Sequence, residues 1–323
     1  MRNLCIWSLC VFTLCIVLFS FVFAEASSIS NESSSYRNYL QGLFLDGSGD
    51  FEQAKRAYQR AVKLDSNSWN IHYRLGLDYL RTEDYKSAEE EFKKALELKP
   101  YTEGVRFLLA RVYAANSKYD EAIGEYLGLL ERPLVELNEA DVRYALAQLY
   151  VRKKDWQKAE IECHKVLEKN PSDSNVHFYL GYIYNESAKV DNAIKEFSRA
   201  IEIDPNNSLA LNCLSYLYAQ RGEQLDYALS LVQKALEFDP ANGAYLDTMG
   251  WVYFKKGDLE NALRYLENAS VLSKDPEIYE HIGDVYLEMG KSKEARKNWQ
   301  KSLEIDPQRL SVKDKIDNIR KVK

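Results

Sequence analysis

An all-α fold, an α-solenoid of stacked helix pairs, is what three features of this 323-residue sequence predict. The first is a period. The series Leu75-Gly76, Tyr79, Ala88, Phe92, Ala95 and Pro100, counted from Trp69, returns in the same spacing from Ser174 as Leu180-Gly181, Tyr184, Ala193, Phe197, Ala200 and Pro205. The second is punctuation: Pro100, Pro171, Pro205, Pro240 and Pro307 stand where a second helix must stop, because Pro lacks an N–H and disfavours helical backbone just before it. The third is composition. With 46% hydrophobic residues, 14 Gly and 7 Pro, the chain has material for cores and too few helix breakers for a disordered or collagen-like segment.

Taken in order, residues 1–26 form an address: Arg2, then an apolar run from Leu4 to Ala24 broken only by Ser8, Thr13 and Ser20. This is the pattern of a secretory signal peptide, with Val22-Phe23-Ala24 or Ala24-Glu25-Ala26 as its cleavage pattern, or of an uncleaved signal anchor. Either form predicts export, with the repeats outside the cytoplasm when the positive end stays inside. Cys5, Cys10 and Cys15 lack the preceding small residue of a lipoprotein signal, and Cys163 and Cys213 remain as two packed thiols. Residues 27–34 are a Ser-rich linker.

Residues 35–307 divide into eight repeats starting near Ser35, Trp69, Glu103, Ala140, Ser174, Ser208, Gly243 and Pro276. The third holds about three extra residues around Leu134 to Asn138. Small residues at Gly76, Ala88 and Ala95 let two amphipathic helices approach, while Leu75, Tyr79 and Phe92 fill the space between them. One pair cannot bury both its faces, so a stack needs neighbours and an end cap. Residues 308–323 supply a basic capping helix: Val312, Ile316 and Ile319 share one face, and Arg309, Lys313, Lys315, Arg320, Lys321 and Lys323 are expected in solvent.

The residues of this period resemble the tetratricopeptide repeat (TPR), whose pattern is an apolar-small pair, a Tyr, two spaced Ala, an aromatic and a closing Pro. The resemblance implies a right-handed superhelix of about eight helix pairs with a concave groove. Asn212 to Tyr216, Leu246 to Tyr253, Gly283 to Tyr286 and Ala295 to Trp299 further resemble the C-terminal repeats of exported bacterial members, which are assembly or scaffolding factors.

No chemistry of the enzymatic kind is legible. His-Glu-X-X-His, Cys-X-X-Cys, Gly-X-Ser-X-Gly and Gly-rich phosphate loops are absent, so no catalytic residue, metal ligand or cofactor is expected. His72 and His177 sit at the fourth repeat position and Ser215 at the small eighth one, all packing positions. Glu89, Glu90 and Glu91 are expected on solvated faces. A formal net charge of −6 argues against nucleic acid as the partner.

Function is therefore expected in the groove. The resemblance implies that positions two, five, nine, twelve and thirteen of each repeat face a bound peptide. Here they offer Tyr73, Phe107, Arg111, Tyr144, Gln148, Arg152, Phe178, Tyr182 and Asn185, followed by Asn212, Tyr216, Asp247 and Trp251. The aromatic row suits a protein or peptide with apolar anchors, and the acidic end, Asp247, Glu277, Glu280, Asp284 and Glu288, suits a basic segment of that partner. No repeat pairs Lys at position five with Asn at nine, which argues against the clamp for chaperone tails. A structural scaffold that self-associates, or touches the membrane through an uncleaved first segment, is the alternative.

Overall fold

A computed structural model of the chain describes residues 30–321, so the signal segment lies outside the described residues. Among those residues there are seventeen helices and no strand. They fall into two compact units, Met1–Lys154 and Asp155–Lys323. The first contains α1 (30–47), α2 (Phe51–Leu64), α3 (Trp69–Arg81), α4 (Tyr85–Leu98), α5 (Glu103–Ala115), α6 (Tyr119–Leu130) and α7 (Glu139–Arg152). The second contains α8 (Trp156–Lys169), α9 (Ser174–Glu186), α10 (Val190–Ile203), α11 (Ser208–Arg221), α12 (Leu225–Phe238), α13 (Gly243–Lys255), α14 (Leu259–Leu272), α15 (Pro276–Glu288), α16 (Ser292–Ile305) and α17 (Leu310–Lys321). Helix α1 begins at residue 30, inside the stretch expected to be linker.

Each repeat turns at one position. Counted from the eight expected starts, the fifteenth residue is Gly49, Glu83, Ser117, Lys154, Ala188, Gly222, Gly257 or Gly290, and all eight have φ between 58° and 82°. A left-handed residue ends the first helix and reverses the chain. Gly adopts it without a Cβ clash, and the four other residues hold it at a small cost because the helices on both sides fix the turn. The next residue caps the second helix: Asp50, Asp84, Asp155 and Asp258 each accept a backbone N–H three residues on.

Helix contact follows the small residue at position eight. A Cβ on Gly76 would stand 2.7 Å from the Phe92 ring, one on Gly181 2.6 Å from the Phe197 ring, and one on Gly283 2.3 Å from the Trp299 indole. The second-helix ring thus lies directly on the first-helix backbone. At Ser215 the hydroxyl instead donates to Ala228 O at 2.7 Å, which accounts for a wholly buried Ser with no nucleophilic role required.

The three-residue insertion is ordered by one carboxylate. Glu103, at the start of α5, accepts the backbone N–H groups of Val135, Glu136 and Leu137 at 2.9 to 3.1 Å. Those three bonds, set against slight desolvation, hold its carboxyl below the ordinary value.

Two expectations about charged groups are corrected. Glu91 is drawn inward: His72 Nδ1 lies 2.5 Å from its Oε2, while His72 Nε2 meets Ser66 O at 2.9 Å. The same geometry recurs three repeats later, with His177 Nδ1 2.6 Å from Glu196 and Nε2 3.1 Å from Pro171 O. Glu89 likewise receives Lys93 and Lys118 at 2.7 and 2.8 Å. A His at position four makes the carboxylate nineteen residues on a structural partner.

One buried carboxyl in the first unit is under-satisfied. Asp78 is wholly buried; its Oδ1 accepts from Arg81 Nη1 at 2.9 Å, but Oδ2 has no partner. Burial first, and then the neighbouring Asp46 carboxylate, push the Asp78 carboxyl up to about 7 against the opposing pull of Arg81. Because the folded value is raised, the contribution is fully present below the ordinary carboxylate range and is lost as pH climbs through about 7. Asp78→Asn, which is neutral at every pH and has an N–H to offer, is therefore expected to stabilise the protein by about 1–2 kcal/mol at pH 8 and by much less at pH 5. Urea denaturation at the two pH values measures this, and an equal effect at both would contradict it.

Candidate functional site

In the first unit the expected groove residues separate into two kinds. Tyr73 and Phe107 are half-buried, each against a ring of its own second helix: Tyr73 lies 6.4 Å from Phe92 and Phe107 5.3 Å from Tyr126, centroid to centroid. Tyr39 and Tyr58 repeat the arrangement at 5.8 Å. Position five and the second-helix aromatic thus form a regular pair, so much of each ring's area is spent on the fold. Tyr144, at the same position on α7, is half-buried as well.

Arg111, Gln148 and Arg152 are of the other kind: all three are exposed, and the structure brings them together. They line a cavity of about 400 Å³ formed by the end of α5, the turn at Ser117, Tyr119 and Tyr126 of α6, and α7. Gln148 and Arg152 are one helical turn apart and so project from the same face of α7. Ala114, Ala115, Ala145 and Leu149 supply the apolar part of the wall. Burial pushes the Tyr126 phenol up to about 12, with the Arg111 charge acting in the opposite sense.

In the second unit Phe178 is half-buried against Phe197 at 5.8 Å, and Tyr182 stacks on Tyr179 at 6.1 Å. Asn185 is half-buried beside Glu186. Further on, α11, α13 and α15 bring Asn212, Tyr216 and Asp247 to a smaller cavity of about 180 Å³ whose wall also includes Thr248 and Glu277, while Trp251 lies outside that wall, stacked on Phe254. Beside it lies His281, a residue to which the sequence reading gave no role. Its Nδ1 is 2.9 Å from Asp247 Oδ1, its ring stacks on Trp251 at 4.0 Å, and its Nε2 is 3.8 Å from Glu277. Burial disfavours the imidazolium, yet Asp247, by charge and hydrogen bond, with Glu277 and Asp284 behind it, outweighs burial and raises the His281 pKa. Tyr216 donates to Glu277 at 2.5 Å, and burial with that acid raises its phenol. Asn212 Oδ1 and Trp251 Nε1 are buried with no hydrogen-bond partner among the described residues.

These bonds correct the reading of the acidic end. Asp247 and Glu277 are engaged by His281 and Tyr216, and the next two acids are engaged by the chain's own C-terminus. Arg309 donates to Glu280 Oε2 at 2.7 and 3.0 Å, while Lys315 reaches Glu280 at 2.8 Å and Asp284 at 2.7 Å. Two of the cations expected in solvent thus turn inward, and four of the five acids are satisfied internally. Only Glu288 stays exposed.

Among the described residues no group of three or more His, Cys, Asp or Glu is placed to hold a metal ion, and no helix is long and apolar enough to cross a membrane. Cys163 is wholly buried and burial pushes its thiol, like that of Cys213, up to about 12, far from a reactive thiolate.

The fold and the cavities on its first helices define an α-solenoid scaffold. Residues 39–102, 107–173, 175–207, 196–229, 244–274 and 276–309 match the tetratricopeptide repeat, and the chain belongs to that family. Anaphase-promoting complex subunit 3 of Schizosaccharomyces pombe is 25% identical over 169 residues, which is 52% of this chain and 25% of that protein. The ycf37 protein of Pyropia yezoensis is 32% identical over 91 residues, 25% of this chain and 51% of the relative. The chain thus spans a quarter to about half of the length of these relatives. A tetratricopeptide repeat protein of Parabacteroides merdae shares the fold with a TM-score of 0.62 at 18% identity, covering 77% of this chain and 97% of that one. The pilF protein of Pseudomonas aeruginosa does so with a TM-score of 0.53 at 19% identity, over 67% and 96% of the two chains.

Proposed function

We propose that the protein is an exported, non-enzymatic scaffold that holds a segment of a protein partner on its first-helix face during a cell-envelope process such as assembly or secretion. The observation that carries this reading is the cavity at Arg111, Gln148 and Arg152: a concave site whose exposed hydrogen-bonding side chains make no bond within the described protein. Support for a partner protein also comes from the relatives, one of which is by name a subunit of a multiprotein complex. Export rests on the apolar run from Leu4 to Ala24 behind Arg2. The strongly shifted groups discussed above each have a packing or pairing partner within the fold, which fits a protein without catalysis of its own.

A photo-crosslinking amino acid placed at Gln148 in the source cell tests the reading. Irradiation is expected to attach one dominant protein, while the mass of the mature chain reports cleavage of the first segment. Absence of any protein adduct, with the protein folded and exported, would overturn the binding role.

One observation favours a second reading, self-association. Tyr36, Leu40 and Phe44 lie four residues apart on α1 and are 63%, 46% and 77% exposed, an apolar stripe on the first helix of the stack. Adducts consisting only of a second copy of this chain would favour it.

A further inference from the structure

We propose that the open face of α1, built on Tyr36, Leu40 and Phe44, binds the same face of a second copy of this chain in an antiparallel, two-fold contact centred on Leu40. The inference rests on the self-association reading above, to which it gives a surface, an occupant and a register. It does not depend on the cavity at Arg111.

The face is one side of a repeat boundary. A first helix packs on the second helix of the repeat before it through positions three and ten: Ile71 clusters with Ala54, Tyr58 and Ala61 of α2, and Ile278 and Val285 with Ala262, Leu266 and Ala269 of α14. In all seven later repeats both positions are at most 4% exposed. In the first repeat position ten is Phe44, 77% exposed, and Leu40 and Tyr36, one and two turns before it, are open as well. Helix α1 thus carries half of a repeat interface whose other half is missing among the described residues.

Scattered exposed apolar side chains are ordinary, and this chain has others. Among the described residues six large apolar side chains are more than 60% exposed: Tyr101, Val135, Val271 and Leu310 stand at helix ends or in connecting segments, whereas Tyr36 and Phe44 share one face of one helix with Leu40 between them. Helix α17 shows the contrasting, closed case, since it turns Lys313, Asp314, Asp317 and Asn318 outward.

The pattern on α1 is self-complementary. About Leu40 it reads alike in both directions, with a ring four residues to either side, Tyr36 and Phe44, and a small residue seven to either side, Ser33 and Gly47. A two-fold contact needs that symmetry, because each residue must suit its counterpart on the other copy. With the axis at Leu40, Leu40 meets Leu40, Tyr36 meets Phe44, and Ser33 meets Gly47 without bulk on either side. Between Ser33 and Gly47 the exposed face carries one charge, Arg37. Parallel pairing would set Arg37 beside Arg37. Antiparallel pairing separates the two by about 9 Å of helix and brings each guanidinium within reach of Phe44 of the other copy. Arg81 makes a contact of this kind inside the fold, 4.4 Å from the Phe51 ring centroid. One cation is also far from the Lys- and Arg-rich polar side of a helix that lies on a membrane.

The inner side of α1 stays committed to its own repeat. Ser35 donates to Ala61 O at 2.9 Å, and Gly42 lies under the Tyr58 ring, where a Cβ would come within 2.4 Å. Substitutions on the outer side are therefore expected to leave the fold intact. One pair of helices makes a small interface, so the dimer is expected to be reversible, with a Kd on the order of 10 μM.

The test places Tyr36→Cys, Leu40→Cys and Phe44→Cys in the full chain, singly or on two co-expressed copies, oxidises intact source cells briefly, and identifies linked peptides by mass spectrometry. Position 40 is expected to join to position 40, and position 36 of one copy to position 44 of the other. Positions 36 and 44 should not join to themselves, because the two-fold offset sets such pairs about 12 Å apart along the helix, beyond the reach of a disulfide. Sedimentation velocity of the purified exported chain should show a dimer at about 100 μM that dissociates on dilution, and Leu40→Glu/Phe44→Glu should weaken it at least tenfold with unchanged helical circular dichroism. Self-joining at 36 and at 44, or a dimer that the double variant leaves intact, would overturn the proposal while leaving self-association standing. A monomer at every concentration would overturn both. In that case a disulfide from position 40 to Cys5, Cys10 or Cys15 of the same chain would assign the face to the chain's own first segment, and flotation with vesicles of equimolar phosphatidylcholine and phosphatidylglycerol, lost in the double variant, would assign it to lipid.

Discussion

Trp299→Ala is expected to remove about 3–5 kcal/mol from the stability of the second unit, the loss usual for deleting a large ring from a packed site. Trp299 has no exposed surface and is the bulkiest of the wholly buried side chains. Its indole lies against the backbone at Gly283, where even a Cβ would come within 2.3 Å, so neither α15 nor α16 can move in to fill the space. Its Nε1–H donates to Glu280 O at 3.2 Å and Asp284 Oδ1 at 3.1 Å, bonds that the shorter side chain forfeits. Val312 and Ile316 of α17 complete the same cluster with Ala295. The capping helix is therefore expected to lose its seat first, which can be followed separately. Trypsin should cut at Lys313 and Lys315 early in the variant and late in the parent protein, and urea denaturation gives the total loss. A loss under about 1 kcal/mol, or unchanged cleavage, would mean that the end cap is held by the Arg309 and Lys315 ion pairs rather than by the ring.

The same cluster shows how far the sequence is legible. Repetition discloses geometry that recurs: a left-handed residue at position fifteen, a ring over a small residue at position eight, and a closing Pro are each repeated, so each copy helps to reveal the next. Contacts made once are hidden. Asp247 and His281 are 34 residues apart, one period, which is the available signal that an acid of one repeat meets a His of the next; nothing in their own repeats marks it. The turning of Arg309 and Lys315 onto Glu280 and Asp284 depends on where α17 docks, whereas the helical-face pattern alone made those cations solvent-facing and the repeat positions alone made those acids available to a partner. The family pattern gives the repeat positions of Arg111, Gln148 and Arg152, which is what made them candidates. Their convergence on one cavity depends on the actual crossing of α5, α6 and α7, which no periodicity encodes.

Asp247→Ala is expected to cost about 3–5 kcal/mol at pH 5.5, because it leaves an imidazolium buried without its nearest counter-charge. His281 is 5% exposed, packed between the Trp251 ring at 4.0 Å and Tyr216 at 6.5 Å, with water largely excluded. The charges facing it come from three helices: Asp247 from α13, Glu277 and Asp284 from its own α15, and the Tyr216 hydroxyl of α11 through Glu277. In the parent protein these raise the His281 pKa above its ordinary value despite burial. The stabilisation from the pair is then complete below the unfolded-state value, near 6.5, and disappears as pH rises through the higher folded one. Removal of Asp247 leaves burial opposed only by Glu277, 3.8 Å away, and Asp284, so the neutral ring becomes the better fit. The damage should accordingly be greatest in acid and ease as pH rises, whereas Asp247→Asn, which keeps an acceptor at the same place, should lie between the two proteins. NMR titration of His281 gives the pKa directly, and denaturation at pH 5.5 and 8.5 gives the energies. A damage that does not ease between pH 5.5 and 8.5 would show that Asp247 acts by packing, and that the charge pair contributes nothing to holding α13 on α15.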